Sequence, residues 1–323
     1  MNGAPDLGDR TGPVVFLMGP TGAGKTALAL GLAARLPVGL VSVDSAMIYR
    51  GLDIGTDKPG ATVLTRFPHR LIDIRDVDQA YSAAEFRRDA LSAIRELLAH
   101  GRIPLLVGGT GLYFRALEHG LSALPGAHRE VRERLSSEAR NGGWARLHTR
   151  LAVLDPEAAS RIHPHDAKRI QRALEVCEVT GDPLTTLFAR DTQEPLPYRV
   201  IKLVIAPRDR ERLHAGHRQR FLGMLERGLI DEVRRVLWRT DARDARPAMR
   251  LVGYRQVCEH LMGRWDRNAL VERAVAATRQ LAKRQMTWLR AERGAVRLDS
   301  DDPCLLSNAS EWLADEEPPG PSR

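Results

Sequence analysis

The chain has 323 residues, 43% of them hydrophobic and 28% charged, and a formal net charge of +8. That length suggests about two domains; apolar runs such as 14–18 and 105–107 are too dense for a disordered chain, and none reaches the roughly 18 residues of a membrane-spanning helix. Cys177, Cys258 and Cys304 are odd in number and lack Cys-x-x-Cys spacing, so neither a disulfide framework nor a thiolate zinc site is written here, and with no secretory leader pattern the cytosol is expected.

Residues 1–12 read as a flexible leader. An apolar run over 14–18 predicts a strand, 25–36 a helix and 40–43 a second strand. A helix over 83–100, with Phe86, Ala90, Ile94, Leu97 and Leu98 on its apolar stripe, then leads to a strand over 103–107. This alternation predicts an α/β fold, a parallel sheet flanked by helices. Residues 121–197 show helical periodicity with little strand signal and predict a helical insertion. A strand over 200–206 returns to the sheet, and long helical patterns cover 210–238 and 268–292. The core is therefore expected over 13–120 and 198–298, followed by an acidic, largely flexible tail at 299–323 beyond its last short helix.

Charge is uneven along the chain: 13 Lys and Arg against 12 Asp and Glu over 1–120, 35 against 22 over 121–298, and 1 against 7 over 299–323. A basic body suits a polyanionic partner. Arginine outnumbers lysine 44 to 5, so compositional bias is a competing explanation.

Gly19, Pro20, Thr21, Gly22, Ala23, Gly24, Lys25 and Thr26 fit G-x-x-x-x-G-K-[ST] between a predicted strand and a predicted helix. Glycines let successive N–H groups face one oxyanion at a helix N-terminus, Lys25 reaches phosphate oxygens and the Thr26 hydroxyl suits Mg²⁺. The pattern predicts a bound di- or polyphosphate but not which bond breaks. Asp44, at the end of the second strand, could hold Mg²⁺ for phosphoryl transfer or act as a general base.

Two further motifs follow: a run from Asp44 through Ser45, Ala46 and Met47 to Asp53-Ile54-Gly55-Thr56-Asp57-Lys58-Pro59, and Gly108-Gly109-Thr110-Gly111-Leu112-Tyr113. With Arg250-Leu251-Val252-Gly253-Tyr254-Arg255-Gln256 and Lys283-Arg284-Gln285-Met286-Thr287-Trp288-Leu289-Arg290, the chain resembles the bacterial tRNA dimethylallyltransferases, or tRNA isopentenyltransferases, from about residue 14 to 290. The resemblance implies a P-loop NTPase-like sheet with a helical insertion subdomain. It implies transfer of a dimethylallyl group from dimethylallyl diphosphate to the exocyclic N6 amine of adenosine 37, in the anticodon stem-loop of tRNA, with Mg²⁺. In that reading the phosphate loop holds the leaving group, Asp44 is the base, Thr110 contacts the target nucleotide and Arg220 helps bind diphosphate. Asp44, Ser45, Ala46, Met47 and Thr110 also meet the tRNA. Asp57 stands where the motif often has Ala.

The same resemblance implies tRNA contacts at Arg132, at Lys168, Arg169, Ile170, Gln171 and Arg172, at Arg250, Leu251, Val252, Gly253, Tyr254 and Arg255, and along 283–290. Residues 246–298 carry 12 basic and 4 acidic residues, Tyr254 offers a stacking ring, and Trp288 either stacks on a base or packs its helix. His163, His165 and Asp166 are read as polar loop residues rather than metal ligands. A monomer is expected. Three readings compete: a transferase acting on free adenine nucleotides, a small-molecule P-loop kinase, and an RNA-binding nucleotide switch without covalent chemistry.

Overall fold

The computed structural model of the chain describes residues 12–122, 124–190, 194–238 and 247–314. Of the expected leader only Gly12 lies among them, and positions 315–323 of the tail lie outside them. Strand β1 (Val14–Met18) is followed by α1 (Lys25–Ala33), β2 (Val38–Val43), α2 (Ala61–Arg66), β3 (His69–Arg70), α3 (Ala83–Ala99), β4 (Ile103–Gly108) and α4 (Gly111–His119). The insertion holds α5 (Arg129–Leu154), α6 (Pro156–Arg161), α7 (Ala167–Thr180) and α8 (Leu184–Arg190). After it come β5 (Val200–Ala206), α9 (Arg210–Glu226), α10 (Leu229–Trp238), a 3₁₀ turn (Pro247–Arg250), α11 (Tyr254–Leu261), α12 (Arg267–Ala291), β6 (Val296–Asp299) and α13 (Leu305–Ala314).

The six strands form one sheet in the order β3-β2-β4-β1-β5-β6, every pairing parallel. Both faces of a parallel sheet are covered, so its strands read as unbroken apolar runs and alternate residues feed two cores. Val14, Phe16, Met18, Val41, Val43, Leu106 and Val204 pack with Phe86, Ile94 and Leu97 of α3 and Phe114 of α4. Val15, Leu17, Leu40, Leu105, Leu203 and Ile205 pack with Leu28 and Leu32 of α1 and Ala309 and Leu313 of α13. Helix α3 begins where Ser82 and Glu85 form a capping box, Glu85 N–H donating to Ser82 Oγ at 3.1 Å and Ser82 N–H to Glu85 Oε2 at 2.9 Å.

The chain divides into two units, 1–118 with 196–323, and 119–195. In the second, Leu135, Leu147, Leu151, Ile170 and Leu174 form its own core, and α5 is broken at Gly143, whose φ of 76° is non-helical. Two expectations change. The pattern over 210–238 is two helices, parted at Gly228 with φ 95°. The sheet gains β6 at residues 296–299; the short helix expected in the tail is α13, with Ala309 and Leu313 buried on the sheet. The very short β3 also had no sequence signal.

Candidate active site

The first three motifs leave the carboxyl ends of β1, β2 and β4, and β4 lies between the other two. Topology therefore gathers them at one edge of the sheet, where ligands of open α/β sheets bind. The phosphate loop follows β1. Gly24 caps α1 with φ 78° and ψ 11°, a left-handed conformation that a side chain would strain. Lys25 Nζ donates to Pro20 O at 2.8 Å. Burial pushes its ammonium down to about 8, with Asp44 pulling it up and Arg220 pushing it further down.

Asp44 follows β2, and its Oδ1 accepts from Ala46 N–H at 2.7 Å and Met47 N–H at 3.4 Å. Among the described residues its Oδ2 accepts no hydrogen bond, so one oxygen is anchored and the other is available. Thr110 joins this turn to the one after β4: its Oγ accepts from Ser45 N–H at 3.2 Å and its N–H donates to Val43 O at 3.4 Å. Arg220, on α9, donates from Nη1 to Thr21 Oγ1 at 2.8 Å. Asp44, Thr110, Arg220 and the loop thus share one crevice.

Gln285 on α12 ties the crevice together. Its Oε1 accepts from Thr21 N–H at 2.8 Å and its Nε2 donates to Gly109 O at 3.0 Å. The side chain expected to meet tRNA clamps two loop backbones instead. Trp288, one turn on, packs its indole over Gly111, where an added Cβ would lie 2.6 Å from the ring, and beside Phe114 with centroids 6.1 Å apart. The half-buried indole thus packs its helix against the turn after β4. Tyr113 of the same motif stacks on Phe86 at 4.3 Å, and burial raises its phenol above the ordinary range.

Behind the site, buried Glu232 on α10 accepts Asp53 N–H at 2.9 Å and Ile54 N–H at 2.8 Å on Oε2, and Gly55 N–H at 3.2 Å on Oε1. Tyr254 O–H donates to Oε1 at 2.6 Å. Tyr254 is fully buried, and burial with the bond to Glu232 raises its phenol further. This corrects the expectation of a stacking ring: the tyrosine supports the 53–58 turn. Lys58 Nζ completes that turn by donating to Tyr49 O at 2.9 Å and to the Asp53 and Asp73 carboxylates at 2.6 Å each.

The basic segments divide by exposure. On α12 Lys283, Arg284, Thr287 and Arg290 are exposed while Leu289 is buried and Met286 packs against the core. Arg250 and Arg255 are exposed, Arg255 pairing with Glu259 at 3.2 Å, whereas Leu251 and Val252 are half-buried and Gly253 is buried. In the insertion, Lys168 and Arg169 face solvent. Ile170 is core, correcting its assignment as a tRNA contact. Gln171 donates to Arg132 O at 3.0 Å and Ser136 Oγ at 2.9 Å. Arg132 and Arg172 are half-buried on the fully buried Glu175, whose oxygens accept from Arg132 Nε at 2.7 Å, Arg172 Nη1 at 3.0 Å and His128 N–H at 2.7 Å. Burial pushes the Glu175 carboxyl up, but these donors outweigh it and its pKa is lowered. Both arginines serve the insertion's interior.

Among the described residues no cluster of three His, Cys, Asp or Glu could hold a metal, and no helix is long and apolar enough to cross a membrane. The roles of Glu232 and Gln285 in building the crevice had no local signal, since Glu232 meets residues 53–55 and Gln285 meets Thr21 and Gly109, all far away in sequence.

The family model described as IPP transferase matches residues 47–292. A tRNA dimethylallyltransferase of Alkalilimnicola ehrlichii is 60% identical over 286 residues, 88% of this chain and 90% of that protein. A tRNA dimethylallyltransferase of Thioalkalivibrio sulfidiphilus is 52% identical, covering 91% and 92%. Among solved structures, the full-length tRNA isopentenylpyrophosphate transferase of Bacillus halodurans superimposes with a TM-score of 0.69 at 32% identity, covering 94% of this chain and 96% of that one.

Proposed function

The chain belongs to the IPP transferase family, and from that membership and the crevice described above we propose that it transfers a dimethylallyl group from dimethylallyl diphosphate to the N6 amine of adenosine 37 in the anticodon loop of tRNA. The observation that carries the reading is the convergence of the phosphate loop, Asp44, Thr110 and Arg220 at one sheet edge. Breaking the allylic C–O bond puts charge on diphosphate, and loop N–H groups, Lys25 and Arg220 stabilise that charge as it develops. The adenine amine is a weak nucleophile because its lone pair is delocalised into the ring. As the new C–N bond forms, one N6 proton must leave, and Asp44, anchored through Oδ1, presents Oδ2 to take it. Thr110 would orient the target nucleotide beside it.

Mg²⁺ suits this donor set: a Thr26 hydroxyl at the start of α1 offers one hard oxygen, and Mg²⁺ at phosphate loops takes its other ligands from diphosphate and water. When bound, the ion would neutralise the leaving diphosphate. Anticodon loops release a base more easily than duplexes, and the exposed cations Lys168, Arg169, Lys283, Arg284, Arg290 and Arg250 would grip the surrounding backbone. A tRNA substrate also accords with a cytoplasmic enzyme.

Incubating the protein and Mg²⁺ with unmodified tRNA and dimethylallyl diphosphate, then analysing digested nucleosides by mass spectrometry, tests the reading. Adenosine carrying one dimethylallyl group is expected. Gain on adenosine monophosphate alone, or ATP turnover without a modified base, would refute it. Asp44→Ala should lower kcat by about 10²–10⁴-fold with tRNA binding within roughly three-fold of the parent; equal loss of binding and rate would remove Asp44 as the base.

A further inference from the structure

Asp57 has a positive φ of 56°, a region that aspartate tolerates better than most residues because its short polar side chain can bond locally. Here the carboxylate reaches α9 instead. Its Oδ2 accepts from Arg220 Nε at 3.0 Å and lies 3.0 Å from Arg220 Nη2, and its Oδ1 accepts from Arg227 Nη2 at 3.2 Å. This side-on grip occupies one edge of the Arg220 guanidinium and turns Nη1 toward Thr21 Oγ1 in the phosphate loop, at 2.8 Å.

The grip is rigidly founded. Glu232 holds the N–H groups of residues 53–55, Thr56 Oγ1 donates to Leu52 O at 2.6 Å, and Asp57 N–H donates to Ile54 O at 3.1 Å. An arginine has several rotatable bonds and a planar fork of donors, so a carboxylate fixed on one edge selects one orientation for the other. Two guanidiniums on one carboxylate also leave the local charge positive, which favours an approaching anion.

We infer that Asp57 is a positioning residue for diphosphate capture: it holds Arg220 against the phosphate loop, with Arg227 offsetting its charge. The inference rests on the diphosphate-transfer reading and adds to it a residue that touches neither substrate.

The test measures binding of inorganic diphosphate with Mg²⁺ by calorimetry for the parent, D57A, D57N, R220A and D57A/R220A, and then the KM values for dimethylallyl diphosphate and for tRNA. Loss of one charge-assisted orienting interaction should weaken diphosphate binding about ten-fold in D57A and raise the KM for the prenyl donor in parallel, with the tRNA KM unchanged. D57N keeps an oxygen acceptor and tolerates the backbone, so it should recover to within roughly three-fold of the parent. In the R220A background D57A should change nothing more, because its partner is gone. Unchanged diphosphate binding in D57A, an effect that adds fully to R220A, or an effect on the tRNA KM alone would overturn the inference. A parent that binds diphosphate with the expected pattern yet prenylates no tRNA would uphold the role of Asp57 and refute the transfer reading instead.

Discussion

Glu232→Gln is the most informative single change to the frame behind the site. The carboxylate receives four donors, Asp53 and Ile54 N–H on Oε2 and Gly55 N–H and Tyr254 O–H on Oε1. A glutamine of the same shape keeps one acceptor oxygen and turns its NH₂ toward the other pair, so two hydrogen bonds are lost and two donors face a donor. At about 1.5–3 kcal/mol for each bond to a charged group, losing two costs about 3–6 kcal/mol. In a unit of this size that lowers the melting temperature by roughly 10 °C. Tyr254→Phe removes one donor, about 2 kcal/mol, and should cost less in the Glu232→Gln background than alone. Urea denaturation gives both values, and amide exchange at residues 53–55 should accelerate in each variant. A Glu232→Gln protein within about 0.5 kcal/mol of the parent, or unchanged exchange at those amides, would refute the four-donor account.

The depressed Lys25 gives a pH prediction. With the ammonium titrating at about 8, it is mostly charged near neutrality and loses its proton as pH rises through that value, so kcat/KM for dimethylallyl diphosphate should fall above about pH 8; a profile flat to about pH 10 would remove Lys25 from the binding step. Reversing Lys168 and Arg169 to Glu should weaken tRNA binding and flatten its dependence on log salt by roughly 0.7–0.9 for each phosphate no longer neutralised; an unchanged slope would take the two residues out of the interface. The same reversal at Arg172 should unfold the insertion instead, since Glu175 is fully buried; circular dichroism separates the two, and a folded Arg172→Glu protein would contradict the ion-pair account.

The glycine-rich loop was legible because its geometry is local: eight consecutive residues dictate a turn and a helix start. The sheet was legible for the related reason that both its faces are covered. What escaped reading depends on distant partners. Tyr254 looked like a stacking ring in a basic motif, but its burial is set by Glu232 and by Gly55, about two hundred positions earlier, where an added Cβ would lie 2.6 Å from the tyrosine ring. Arg132 and Arg172 carry the same charge as Lys168 and Arg169, and only the fold shows that a buried carboxylate claims them. Gln285 belonged to a flagged motif, yet its partners Thr21 and Gly109 are 264 and 176 residues away. Strand β6 is four residues long with a polar residue at every second position, too short and mixed to rise above turn composition.

The insertion leaves the core after Glu118 and returns at Leu196. Those two residues are joined by a hydrogen bond from Leu196 N–H to Glu118 O at 2.8 Å, and Lys202 of β5 holds the Glu118 carboxylate at 2.7 Å. The stem is therefore closed by the core itself, and a tether of a few residues would span it. In evolutionary terms such a joint behaves as a socket. Lengthening or replacing what hangs from it alters the closure entropy only logarithmically, so the segment can change in length and sequence while the edge of the sheet that carries the glycine-rich loop stays as it is.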